Sequence, residues 1–197
     1  FENDESLGIK SICLADSFLF LVDAYHNNIK RINLNSTNII SSVMLLSYNN
    51  NSWLRDILVK NGLVYVTGDI GLNYILTKDL KQFKTFTLPD GIKYFFVSPK
   101  DNLYIVSFKE MFEINCEGQI LSKIKNSDID FSSYAHGKKF EVSGDQLITE
   151  FGIINFHKII PNTWDYYDAV NIDFDREKAA IFEIDSTGYK IYIRAYD

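Results

Sequence analysis

The stretch Asp16-Ser17-Phe18-Leu19-Phe20-Leu21-Val22 decides the fold. A polar residue is followed by one more residue and then by a run of apolar and β-branched residues. The phrase returns as Asn61-Gly62-Leu63-Val64-Tyr65-Val66, as Asp101-Asn102-Leu103-Tyr104-Ile105-Val106 and as Asp145-Gln146-Leu147-Ile148. A weaker copy is Glu177-Lys178-Ala179-Ala180-Ile181-Phe182. Offsets between the first four copies are 45, 40 and 44 residues. Self-similarity at about 40–45 residues marks a repeat architecture whose units cannot bury their apolar faces alone.

Working outward from the first copy, Ser11–Ala15 reads as one short strand and Phe18–Asp23 as a second. Asn-rich residues 24–28 form a turn, because Asn tolerates left-handed backbone. Ile29–Leu34 and Ile39–Leu46 supply two more strands. Four short antiparallel strands per repeat are the blade of a β-propeller. Within this unit, Leu21-Val22-Asp23-Ala24-Tyr25-His26-Asn27-Asn28-Ile29-Lys30-Arg31-Ile32 resembles an NHL-type propeller repeat. That likeness covers residues 16–34 and implies fold class without a function. Val66-Thr67-Gly68-Asp69 keeps only the Asp, and Val106-Ser107-Phe108-Lys109 keeps neither Asp nor Asn.

Further units follow the same template, with leading strands at Trp53–Lys60, Tyr94–Ser98, Lys139–Val142 and Val170–Phe174. In the fourth unit Leu147–Phe151 is read as the second strand, Ile153–Ile160 as the third, and a poorly defined last strand lies around Tyr166. The fifth unit holds three strands, and Leu7-Gly8-Ile9 is expected to supply its outer one and close the ring. The expectation is a single all-β domain over residues 1–197, built as a five-bladed β-propeller or a propeller fragment of that size. An irregular β-sandwich is the alternative. The composition suits this: 46% hydrophobic residues, 15% aromatics, and only 3 Pro and 10 Gly. No apolar run reaches the roughly 18 residues of a membrane-spanning helix, and no segment reads as a signal peptide.

Chemistry-bearing motifs are scarce. Cys13 and Cys116 fall in different repeats, outside any CxxC, and read as buried free thiols, with a single bridge between them as the alternative. His26, His136 and His157 have no ligand-spaced partner, so a structural or solvated role is expected for each. No P-loop, GxSxG or GxGxxG occurs. Asp23, Asp56 and Asp69 could converge on one face as acidic residues do in calcium-dependent propeller lactonases. The simpler reading is that they end strands and satisfy turn amides. No catalytic residue, metal ligand or cofactor is therefore expected.

Charge gives the functional expectation. The net charge is −6. Residues 1–9 sum to −3 and residues 165–185 to −5, while the middle is near neutral. The absence of a basic cluster argues against nucleic acid as a partner. Trp164-Asp165-Tyr166-Tyr167-Asp168 interleaves aromatics with acids, a composition suited to recognition. The chain is expected to be a non-catalytic module that binds another protein with a basic surface through Trp164, Asp165, Tyr166, Tyr167 and Asp168. A carbohydrate-binding propeller and a metal-dependent propeller hydrolase are the alternatives. Trp53 reads as core.

Overall fold

The computed structural model describes residues 8–24, 26–45, 54–68, 71–88, 92–107, 109–125, 133–156, 172–185 and 188–196. They form five antiparallel sheets arranged as a five-bladed β-propeller, with no α-helix among them.

Blade 1 runs in the order β1 (Ile9–Ala15), β2 (Phe18–Asp23), β3 (Asn28–Asn33), β4 (Ile39–Met44). Blade 2 is β5 (Leu54–Lys60), β6 (Leu63–Gly68), β7 (Leu72–Thr77), β8 (Gln82–Thr87). Blade 3 is β9 (Ile92–Val97), β10 (Leu103–Ser107), β11 (Glu110–Ile114), β12 (Ile120–Lys125). Blade 4 is β13 (Tyr134–Ala135), β14 (Lys138–Ser143), β15 (Gln146–Thr149), β16 (Gly152–Asn155). Blade 5 has three described strands, β17 (Ile172–Phe174), β18 (Lys178–Asp185) and β19 (Gly188–Ala195).

The repeated phrase owes its leading polar residue to backbone geometry. Asp16, Asn61 and Asp101 all have positive φ, at 55°, 50° and 66°. Each sits in the hairpin between the first and second strands of its blade. Asp and Asn accept this left-handed conformation more readily than most residues. The residues that follow alternate between the two faces of the second strand, which is packed on both. Phe20, Leu21, Val22, Val64, Val66, Ile105 and Val106 are all fully buried.

The innermost strands close the ring. β1 lies against β5, β5 against β9, β13 against β17, and β17 against β1. Between blades 3 and 4 the Val97 amide donates to the His136 carbonyl at 3.1 Å. Apolar layers fill the spaces between blades. One cluster joins blades 1 to 3 around Phe20, Ile57, Ile75, Phe95 and Phe112. A second joins blades 4 and 5 around Phe140, Leu147 and Phe174, and a third seals blade 5 to blade 1 through Leu19, Leu21, Ala180 and Phe182.

Two expectations need correction. The inner strand of blade 4 is Tyr134–Ala135, so Lys139–Val142 lies in its second strand and Leu147 in its third. The fourth copy of the phrase is thus one strand out of step with the others. Its left-handed residue is also different, Gly144 (φ 60°) rather than Asp145. A two-residue strand is too short to carry a period, which is why the pattern skipped it. Gly8 and Ile9 do not complete blade 5. Ile9 pairs with Asp23 as the start of β1, and the Gly8 carbonyl accepts the Ala24 amide at 2.5 Å.

Candidate functional site: the axial polar cluster

In a propeller the first strand of each blade lines the axis, so one residue per blade can meet its counterparts there. This chain sets charged residues in otherwise apolar inner strands: Asp56 beside Ile57 and Leu58 in β5, Asp173 between Ile172 and Phe174 in β17. Both carboxylates are fully buried, and so is Ser11. A buried charge is tolerated only with partners, and each of these carboxylates has several.

Asp56 draws on three other blades. Its Oδ1 accepts the Ser11 hydroxyl of blade 1 at 2.5 Å and lies 3.1 Å from His136 Nε2 of blade 4. Its Oδ2 accepts the Phe95 amide of blade 3 at 2.6 Å. Asp173 of blade 5 draws on two other blades. Its Oδ2 accepts the Leu14 amide of blade 1 at 2.6 Å, and its Oδ1 accepts Lys138 Nζ of blade 4 at 2.5 Å. Lys138 also donates to the Phe174 carbonyl and lies over the Phe174 ring. Two carboxylates thereby tie all five blades together.

His136 stands between them. It opens the tight turn joining β13 to β14, with φ 51°, and Gly137 follows at φ 96°. Two successive left-handed residues are the signature of a type I′ hairpin, and His is among the residues that enter this region. The Nδ1 atom lies 3.5 Å from Asp173 Oδ1, at ion-pair range, and makes no hydrogen bond within the protein. Burial opposes the imidazolium, but the charge of Asp56, the contacts to Asp173 and Asp56, and the charge of Asp173 outweigh it. They raise the histidine to about 9. For Asp173, burial favours the neutral acid, yet Lys138 and His136 hold the carboxyl well below the usual carboxylate range. Cys13 of β1 completes the group. Its sulfur accepts the Val59 amide at 3.3 Å, and burial, then the charge of Asp173, push the thiol well above its ordinary value.

The sequence-level candidates fare differently. Trp164, Asp165, Tyr166, Tyr167 and Asp168 lie outside the described residues, as do Trp53, Asp69 and His157. Asp23 behaves as a turn residue: it accepts the His26 amide at 3.2 Å, and its carboxylate pairs with the His26 ring and Lys30. Asp56 does not join it, being at the axis. Both cysteines are free, but Cys116 is exposed rather than buried. Sequence reasoning missed the cluster of Ser11, Cys13, Asp56, His136, Lys138 and Asp173. Its signal was a lone acid within an apolar strand run, together with the dipeptide His136-Gly137 at a hairpin.

No protein-family model matches this chain. No curated protein matches it either. Solved structures do resemble it, as propellers. Hydrazine synthase of Kuenenia stuttgartiensis matches over 99% of this chain and 68% of its own, with a TM-score of 0.55 at 12% identity. Virginiamycin B lyase from Staphylococcus aureus, crystallised as an inactive H270A variant with quinupristin, gives 0.53 at 17% identity over 96% and 71%. The Pan2 WD40 domain of Neurospora crassa gives 0.52 at 10% identity over 94% and 61%. These likenesses are of fold. They span enzymes and a WD40 domain, and this chain is shorter than each of them.

Proposed function

We propose that this chain is a non-catalytic propeller that binds another protein carrying a basic, extended segment. The observation that carries this reading is the outermost strand of blade 1. β4, Ile39-Ile40-Ser41-Ser42-Val43-Met44, has no charged residue, and its outer edge is unpaired among the described residues. Ile39, Ile40 and Met44 are exposed, Met44 at 65%. Edge strands are ordinarily blunted by Lys, Pro or a bulge, because an open apolar edge recruits another strand. β4 carries neither Lys nor Pro, and its register shift against β3 is confined to Ile40, which has no Cα partner between Ile39 and Ser41. An edge so lightly protected suits strand addition by a partner, with main-chain bonds giving affinity and alternate side chains specificity. Leu121 and Ile124 are likewise exposed on the outermost strand of blade 3.

Two further observations support the reading. The axial carboxylates and imidazole are buried, so they offer no solvent-facing reactive group. The net charge of −6 favours a basic partner and speeds its approach. Asp173 must be removed from the acidic sector at the chain ends, since it is buried against Lys138 and His136. Residues 164–168 supply the charged, aromatic part of the same reading.

The test begins with partners captured on the protein and identified by mass spectrometry, each then assayed as a purified protein. The expected result is a basic partner whose affinity falls at least tenfold with Ile40→Lys and falls again as salt rises, while the melting temperature of the variant is unchanged. Asp165→Lys with Asp168→Lys should weaken it independently. Binding that ignores both variants and salt would overturn the proposal.

A further inference from the structure

We propose that Cys13, His136 and Asp173 form a buried binding site for a divalent metal ion of the zinc class. A sulfur, an imidazole nitrogen and a carboxylate oxygen from these three residues lie within 4.8 Å of one another, and all three residues are buried. They come from blades 1, 4 and 5, separated by 123 and 37 positions in the chain, so no spacing motif announces them. Thiolate, imidazole and carboxylate are the three ligand types zinc takes, and three protein ligands leave a fourth tetrahedral position for water or a small anion.

The histidine is what separates this group from a mere cluster of polar residues. Its Nε2 is engaged by Asp56, while its Nδ1 is a buried nitrogen with no hydrogen-bond partner, turned toward Asp173. A metal-bound histidine characteristically gives its second ring N–H to a carboxylate, which fixes the tautomer and orients the ring. Asp56 occupies that place, held in turn by the Ser11 hydroxyl and the Phe95 amide. The Val59 amide already points at the Cys13 sulfur, where it would stabilise a thiolate.

Charge also balances. Without metal, Asp56 and Asp173 are matched by the imidazolium and Lys138. On binding, the proton at His136 Nδ1 and the thiol proton of Cys13 leave to solvent as one divalent cation enters. The buried sum stays at zero, so the exchange places no net charge in the core. Lys138 is the competing cation: it holds Asp173 Oδ1 and retains the Phe174 carbonyl when that oxygen turns to the metal.

The experiment uses the full chain carrying Cys116→Ser, which removes the exposed thiol and leaves Cys13 as the only sulfur nucleophile. Cobalt(II) is titrated as the spectroscopic probe after treatment with chelator. The expected result is a thiolate-to-cobalt charge-transfer band in the near ultraviolet that saturates at one equivalent and is displaced by zinc. Cys13→Ser in the same background should abolish the band while circular dichroism shows a folded chain. Should that variant fail to fold, the first titration decides alone, because only Cys13 can give a thiolate band. No band on the folded Cys116→Ser protein, or a band that survives Cys13→Ser, overturns the site.

Discussion

Asp56 and His136, 80 residues apart in sequence, meet at the propeller axis with Oδ1 3.1 Å from Nε2. Neither belongs to a neighbouring blade of the other, since blade 3 lies between them. Their contact therefore reports ring closure and not local hairpin formation. The same carboxylate holds Ser11 and the Phe95 amide, so a single side chain in blade 2 fixes the spacing of blades 1, 3 and 4.

Replacing Asp56 with Asn keeps the shape and removes the charge. The amide must then turn an NH2 toward at least one of four donors, the Ser11 hydroxyl, the Ile57 and Phe95 amides and His136 Nε2, and the buried imidazolium loses one of its two counter-ions. Breaking one side of a buried ion pair costs about 3–5 kcal/mol. Urea denaturation of Asp56→Asn against the parent should show a loss of that size. A loss under about 1 kcal/mol would mean that the axial network contributes little.

Alkaline pH should loosen the metal-free ring. The folded-state value of His136, about 9, lies above its ordinary 6.5. Its contribution to stability is therefore complete below about 6.5 and disappears as pH rises through about 9. Asp173 works in the opposite direction. Its carboxyl is held below 3.8, so its contribution is present above that value and is lost as the solution becomes more acidic. Unfolding free energies from denaturation in the presence of chelator should be highest between about pH 4 and 6.5, and should fall by pH 9.5 by on the order of 3 kcal/mol. His136→Gln should flatten the alkaline limb. A midpoint constant from pH 6 to 10 would exclude an imidazolium at the axis.

The blade plan was legible because it rests on short-range chemistry. Asp16, Asn61 and Asp101 sit where a hairpin demands left-handed backbone, and alternating apolar residues follow each of them. Where that chemistry changes, the reading slipped. Gly144 takes the left-handed place in blade 4, and the two-residue β13 leaves no pattern, so the phrase at Asp145 was set one strand early. The axial cluster was not legible for a different reason. A propeller gathers inner-strand residues from every blade. Ser11 and Asp56 stand one repeat apart, at 45 residues, but every equivalent pair shares that period and it singles out none of them, and Leu14 and Asp173 carry no characteristic spacing. Only the cost of a buried carboxylate hints at Asp56 and Asp173, and that hint names no partner.

Gly137 should tolerate no side chain. A Cβ there would stand 2.0 Å from the Val97 carbonyl oxygen, at φ 96°. The obstruction is backbone of blade 3, which cannot rotate away, and it lies beside the Val97–His136 hydrogen bond that joins the two blades. Gly144 has a positive φ as well, but a Cβ would meet nothing within 4 Å. Gly144→Ala should therefore cost only the left-handed penalty of roughly 1–2 kcal/mol. Gly137→Ala should cost far more and yield little folded protein by circular dichroism. Equal behaviour of the two variants would show that blades 3 and 4 do not approach so closely.

Leu63 and Leu147 hold the same place in the repeated phrase and different places in the fold, and truncation should separate them. Leu147 is fully buried on β15, packed among Phe140, Ile154 and Phe174 between blades 4 and 5. Leu63 opens β6 half-buried, at the margin of the first core cluster. Removing three carbons from a closed layer leaves a cavity as well as losing transfer energy, and Leu→Ala at such sites costs about 2–5 kcal/mol. At a half-exposed position solvent fills the space, and only part of the transfer term is lost, on the order of 1 kcal/mol. Chemical denaturation of Leu147→Ala and Leu63→Ala measures both. A larger loss at Leu63 than at Leu147 would contradict the closed packing of Leu147 between blades 4 and 5.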